Sequence, residues 1–172
     1  MTYRMLLSRT HLVGCSSKQN MNKAIIGIDP GVTGGIAYIK PDAVSVEFKE
    51  LVLDTLPAVL RGLITIRAYA NIPSIAYVEK QWIWKNERDF KTANTLIKNF
   101  GYVLGVLRSL NIPYHEVAPR TWKREVLGNG NATKEQARMF VKETYGIELK
   151  VTQDGLYDAL CIAHYGFLHE MI

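Results

Sequence analysis

Short apolar runs and longer helical stripes alternate along this chain. Residues 23–28 (KAIIGI) read as a short buried strand, apolar after Lys23 and closed by the turn signal Asp29-Pro30-Gly31. A second turn at Gly34-Gly35 leads into two more strand-like segments, 36–39 and 43–48, parted by Pro41-Asp42. Over residues 51–70 the period changes: Leu53, Leu56, Leu60, Leu63, Ile64 and Ile66 line one helical face. Pro57 falls in the first turns of that helix or marks a later start. A buried strand at 75–78 ends at Glu79, a long helix is expected over 89–110, and a fifth strand over 112–117. Residues 133–145 read as a helix with a capping box, Thr133 at the N-cap and Gln136 three residues on, stopped by Gly146. The last helix is expected over 154–169. Three strands in succession followed by β-α-β-α alternation predict an α/β fold, a mixed five-stranded sheet with helices on both faces.

Size and composition fit one globular domain: 172 residues, 48% hydrophobic and 22% charged. The domain is expected over 23–172. Residues 1–22 stand apart as a basic leader, with Arg4, Arg9 and Lys18 and no acidic residue; it reads as a flexible, targeting or misassigned start segment. The formal charge of +5 and the pI of about 9.2 suit a polyanionic partner and equally suit a solvated basic surface. Cys15 and Cys161 show no zinc-type spacing and suggest a reducing, intracellular setting; an organelle is the alternative if the leader is a transit peptide. No apolar run is long enough for a transmembrane helix. No Walker-type phosphate loop or Ser-His-Asp arrangement is evident, and no small-molecule cofactor is expected.

Among the acidic residues four stand out by position. Asp29 and Glu79 each end an apolar strand, and Asp154 and Asp158 open an apolar helix, four residues apart and so on one face. Strand-end carboxylates gather at the carboxyl edge of a sheet, where open α/β proteins place their sites. Such a cluster repels itself and needs a compensating charge. An all-oxygen donor set favours Mg²⁺, with Mn²⁺ as a substitute, and two such ions about 4 Å apart can activate water and stabilise a leaving oxygen in phosphodiester cleavage. The plainer alternative is solvated charge, with Asp154 as a helix cap.

The runs IIGIDPGVTGGIAYI (25–39), AYVEKQ (76–81) and DGLYDALCIAHYG (154–166) resemble, in this order and at these intervals, the three acidic motifs of RuvC-type Holliday junction resolvases, the last of them especially as it stands in phage-type members. The resemblance spans about 23–168. It implies an RNase H-like fold, a homodimer, and paired cleavage of a four-way DNA junction with Mg²⁺ or Mn²⁺. It implies Asp29, Glu79, Asp154 and Asp158 as metal ligands, with one departure: the bacterial pattern often spaces its last two acids by three residues, and here the spacing is four. Asp158 matches the motif better than Asp154.

Two basic regions gain meaning from that resemblance. Lys123 and Lys134, in WKREVLGNGNATK, stand where the family has two lysines beside the junction backbone; a lysine near a scissile phosphate stabilises developing charge, which would make Lys134 catalytic. Arg120, Lys123 and Arg124 form a basic cluster suited to phosphate. The segment also reads as an ordinary turn leading to a capped helix. After Glu79, Trp82 and Trp84 lie among Lys80, Lys85, Arg88 and Lys91, an aromatic and basic mixture typical of nucleic-acid contacts. Trp82 occupies the family position near the junction centre, whereas Trp84 is expected in a core or dimer interface. His115 and His164 are expected to be structural.

Three other functions compete. An actin-like or sugar-kinase ATPase shares the D-x-G-x-T start but needs two such domains. An RNase H-like nuclease trimming ribosomal RNA precursors shares fold and acids but not the basic and aromatic segments. A noncatalytic DNA-binding module would not need all four carboxylates.

Overall fold

The computed structural model of the chain describes residues 3–6, 23–40, 45–68, 73–82 and 90–171. Strands β1 (Tyr3–Leu6), β2 (Ala24–Asp29), β3 (Gly35–Ile39), β4 (Ser45–Glu50), β5 (Ser74–Glu79) and β6 (Tyr114–Val117) make one mixed sheet in the order β1-β4-β3-β2-β5-β6. The expected five strands are all present, β2 to β6, and a sixth from the leader extends the edge: β1 pairs antiparallel with β4, Tyr3 opposite Phe48. Without β1 the outer edge of β4 would expose a row of unpaired backbone groups, and a strand can add there with little demand on its own sequence. The meander β2-β3-β4 is antiparallel, and β5 and β6 run parallel to β2.

Helices α1 (Leu56–Ala68) and α2 (Phe90–Ser109) belong to one face; α3 (Pro119–Leu127), α4 (Lys134–Tyr145) and α5 (Asp154–Glu170) belong to the other. Strand alternation sorts the core into two clusters. Ala24, Ile26 and Ile28 of β2 pack with Leu56, Leu60, Val103 and Leu107, while Ile25 packs with Trp122, Val141, Leu160 and Ile162. Pro57 sits second in α1, behind a short 3-10 turn at Leu53–Thr55, in the first turn where a missing N–H costs nothing. The capping box at Thr133 and Gln136 is formed and Gly146 ends α4 at φ +65°.

Helix α3 corrects the expectation of a plain turn ahead of Thr133. Pro119 pre-sets the first turn, Trp122 anchors it in the core, and Gly128 stops it at φ +74°. At nine residues with one wholly buried anchor, the helix is short enough to be taken with the Gly128 and Gly130 turn that follows it.

Candidate active site

Parity decides where the strand-end acids point. Asp29 shares the face of Ile25 in β2, and Glu79 the face of Ile75 and Tyr77 in β5; all three apolar residues lie in the core cluster beneath α5. β2 and β5 are parallel neighbours with Ile28 opposite Val78, so both acids emerge side by side at the carboxyl ends of the two strands. Helix α5 crosses the same face. Its backbone rests on β2 at Gly27, where a Cβ would lie 2.2 Å from the Ala159 carbonyl oxygen. That close approach carries Asp158, one residue earlier, to the strand ends.

The three carboxylates feel one another. Asp29 is only 8% exposed; Glu79 and Asp158 are partly exposed. Burial, then repulsion from Glu79, pushes Asp29 up to about 7, against the pull of the Gly31 N–H (2.9 Å to Oδ1), Lys134 and Lys123. Burial and then Asp29 push Asp158 up to about 7, again opposed by Lys123 and Lys134. Burial also raises Glu79, with Asp158 adding to it; the Trp122 indole N–H donates to its Oε1 at 2.9 Å and the Gln81 amide to its Oε2 at 3.1 Å, both favouring the charged form. Three mutually repelling oxyacids are the kind of oxygen donors a hard divalent cation takes. Among the described residues no group of three or more His, Cys, Asp or Glu side chains is arranged so that it could hold a metal ion.

Asp154 is placed differently from the other three. Its Oδ2 accepts from Lys134 Nζ at 2.8 Å, and its Oδ1 from Arg138 Nη2 at 2.6 Å and Nε at 3.2 Å. Burial alone would raise this carboxyl, but the two cations outweigh it and lower its pKa.

Among the basic candidates, Lys123 and Lys134 reach the carboxylates electrostatically, Lys123 from α3 with its ammonium 5.4 Å from the Trp122 ring centroid. Arg120 and Arg124 are exposed on α3; Arg120 Nη2 donates to Asn131 Oδ1 at 3.1 Å, bracing the loop before α4. Lys80 lies 3.5 Å from Glu116 and 4.7 Å from the ring centroid of Trp82, which is 54% exposed. Lys85, Trp84 and Arg88 lie outside the described residues. His115 packs on Tyr77, and His164 receives a 2.6 Å contact from the Tyr145 hydroxyl between aromatic rings, away from the acids.

Sequence reasoning did not foresee Trp122, Gln81 or Arg138. Arg138 left a signal, four residues after Lys134 on one helical face. Trp122 left none, because its polar atom matters only once α3 is folded against β5.

A family model described as crossover junction endodeoxyribonuclease RuvC matches residues 25–165. The curated RuvC of Ehrlichia canis is 32% identical, covering 81% of this chain and 92% of the relative. That of Moorella thermoacetica is 34% identical, covering 81% and 87%. In fold the chain resembles Thermus thermophilus RuvC solved with a Holliday junction substrate, with a TM-score of 0.62, 22% identity, and coverage of 87% and 96%.

Proposed function

Since this chain belongs to the RuvC family of crossover junction endodeoxyribonucleases, we propose that Asp29, Glu79 and Asp158 are the centre at which it cuts branched DNA. It is a Holliday junction-resolving endonuclease that depends on a divalent metal. The finer reading is Mg²⁺, with Mn²⁺ as a substitute, two ions per site, and a homodimer that presents two sites to the two equivalent strands of a four-way junction.

One observation supports this reading above the others: three mutually repelling carboxylates from β2, β5 and α5 meet at one sheet edge, with Lys123 and Lys134 beside them. A bound divalent cation would neutralise that charge and supply Lewis-acid activation of water and stabilisation of the leaving oxygen. Trp122 and Gln81 orient Glu79 and favour its charged form against the burial that raises its pKa. The Gly31 N–H does the same for Asp29. Lys123 and Lys134 draw a phosphate towards the acids and oppose the charge that develops on it. Trp82, exposed three residues past Glu79, stacks on a base freed at the crossover, with Lys80 against its ring. Arg120 and Arg124 hold flanking phosphates, as does Lys85, so binding falls with salt.

The test is cleavage of a synthetic four-way junction beside a linear duplex and an RNA–DNA hybrid, with Mg²⁺, with Mn²⁺ and with chelator. Paired cuts in the junction alone are expected, lost with chelator and in Asp29→Asn, which still binds the junction. Full Mg²⁺-dependent cleavage by Asp29→Asn would refute the assignment.

A further inference from the structure

Resting on that reading, we infer that Asp154 is a positioning residue which, anchored by Arg138, holds the Lys134 ammonium beside the carboxylate site, and that it does not ligate the cation. Both its oxygens are engaged by positive groups: Oδ2 by Lys134 at 2.8 Å and Oδ1 by Arg138 at 2.6 and 3.2 Å. A divalent ion drawn to this carboxylate would sit against an ammonium and a guanidinium already there, so the pair repels what the other three acids attract.

The backbone explains why the acid stands apart. The residue three before Asp158 is Gly155, and a Cβ there would lie 2.0 Å from the Thr33 carbonyl oxygen and 2.8 Å from the Gly34 Cα. No side chain of any kind fits at that position. The acid one residue earlier is turned towards α4, where it meets Lys134 and Arg138.

Arg138 is itself held. Its Nη1 donates to Glu135 at 2.9 Å and its Nη2 also to the Val151 carbonyl at 3.3 Å, tying α4 to the loop before α5. The Lys134 side chain is 65% exposed and would otherwise sample many rotamers. Clamped by Asp154, it stays where its charge reaches both Asp29 and Asp158. An ammonium fixed there meets the phosphate without first losing its rotamer freedom, so the gain belongs to turnover.

The experiment compares Asp154→Asn, Lys134→Ala, their double variant, Arg138→Met, Arg138→Lys, Asp29→Asn and Asp158→Asn. Mn²⁺ binding without DNA is read by calorimetry, and junction cleavage under single turnover. Asp154→Asn is expected to bind Mn²⁺ as the unaltered protein does while cleaving about 10–100-fold more slowly. The double variant should be no slower than Lys134→Ala alone, because Asp154 acts through that lysine. Arg138→Met should slow turnover in the same direction, and Arg138→Lys should restore part of it. Loss of Mn²⁺ binding in Asp154→Asn as severe as in Asp158→Asn would overturn the inference, and so would additive effects of the two single changes. If Asp154→Asn unfolds, the same two readouts on Arg138→Met decide. If Asp29→Asn and Asp158→Asn both kept full Mn²⁺ binding, the metal reading would fail, and the Asp154–Lys134 cycle would still judge the clamp.

Discussion

Two tryptophans a strand-end apart do opposite work. Trp122 is wholly buried, and its one polar atom is spent on Glu79. Trp122→Phe leaves a ring in the core but takes away that donor. Junction cleavage should fall about 10-fold or more, with a higher Mg²⁺ requirement, since partners that orient a ligating carboxylate carry effects of this size. Mg²⁺ titrations of cleavage check it; an unchanged requirement would reduce Trp122 to packing. Trp82 is 54% exposed, so core packing does not explain it. Trp82→Ala should leave the melting temperature unchanged and slow junction cleavage by the loss of a stacking contact of about 1–3 kcal/mol. Trp82→Phe should recover much of the rate. Thermal unfolding and single-turnover cleavage on the same three proteins separate the two roles.

At the scale of elements, the contact between α5 and β2 sets the site. Gly27→Ala would put a methyl 2.2 Å from the Ala159 carbonyl oxygen, and helix and strand must then part. A loss of at least about 3 kcal/mol is expected in denaturant unfolding, at the upper end of overpacking costs, with cleavage falling as Asp158 moves away. The α4–α5 contact predicts a pH effect. Burial pushes His164 down to about 4 from an ordinary 6.5, so the folded state binds its proton less well than the unfolded chain. Its contribution is complete above pH 6.5 and is lost as pH falls towards 4, on the order of 3 kcal/mol. Asp29 and Asp158, raised to about 7 by burial and then by repulsion, work in the opposite sense, since protonation in acid relieves both costs. The difference between the unaltered protein and His164→Gln isolates the histidine: the variant should lose less stability between pH 7 and 4.5.

For the whole molecule, the outer side of α2 offers a surface for a second copy. Phe90 is 87% exposed, Tyr102 42% and Ile97 38%, on a helix whose inner side is filled by Ala93, Val103, Val106 and Leu107. A dimer at micromolar concentration is expected by light scattering without DNA, and Tyr102→Glu with Ile97→Glu should shift it to monomer. A monomer throughout would count against the dimer and against this face as its interface. Among the described residues no helix is long and apolar enough to cross a membrane.

Much of this was legible in the chain alone, for local reasons. A short apolar run closed by Asp29-Pro30-Gly31 reads as a buried strand ending in an acid, and Thr133, Gln136 and Gly146 delimit α4 by hydrogen bonds within a few residues. Period and turn chemistry therefore determined β2 to β6, the long helices and the strand-end positions of Asp29 and Glu79. What depends on distant partners was not written locally. The β1 pairing needs the β4 edge. Helix α3 needs the pocket that receives Trp122. The division among the four acids needs both the backbone of Thr33 against Gly155 and the face of α4 bearing Lys134 and Arg138. Spacing four residues apart puts Asp154 and Asp158 on one side of a helix; only the packing around that helix gives them different neighbours, because burial and charge are properties of the space a side chain enters.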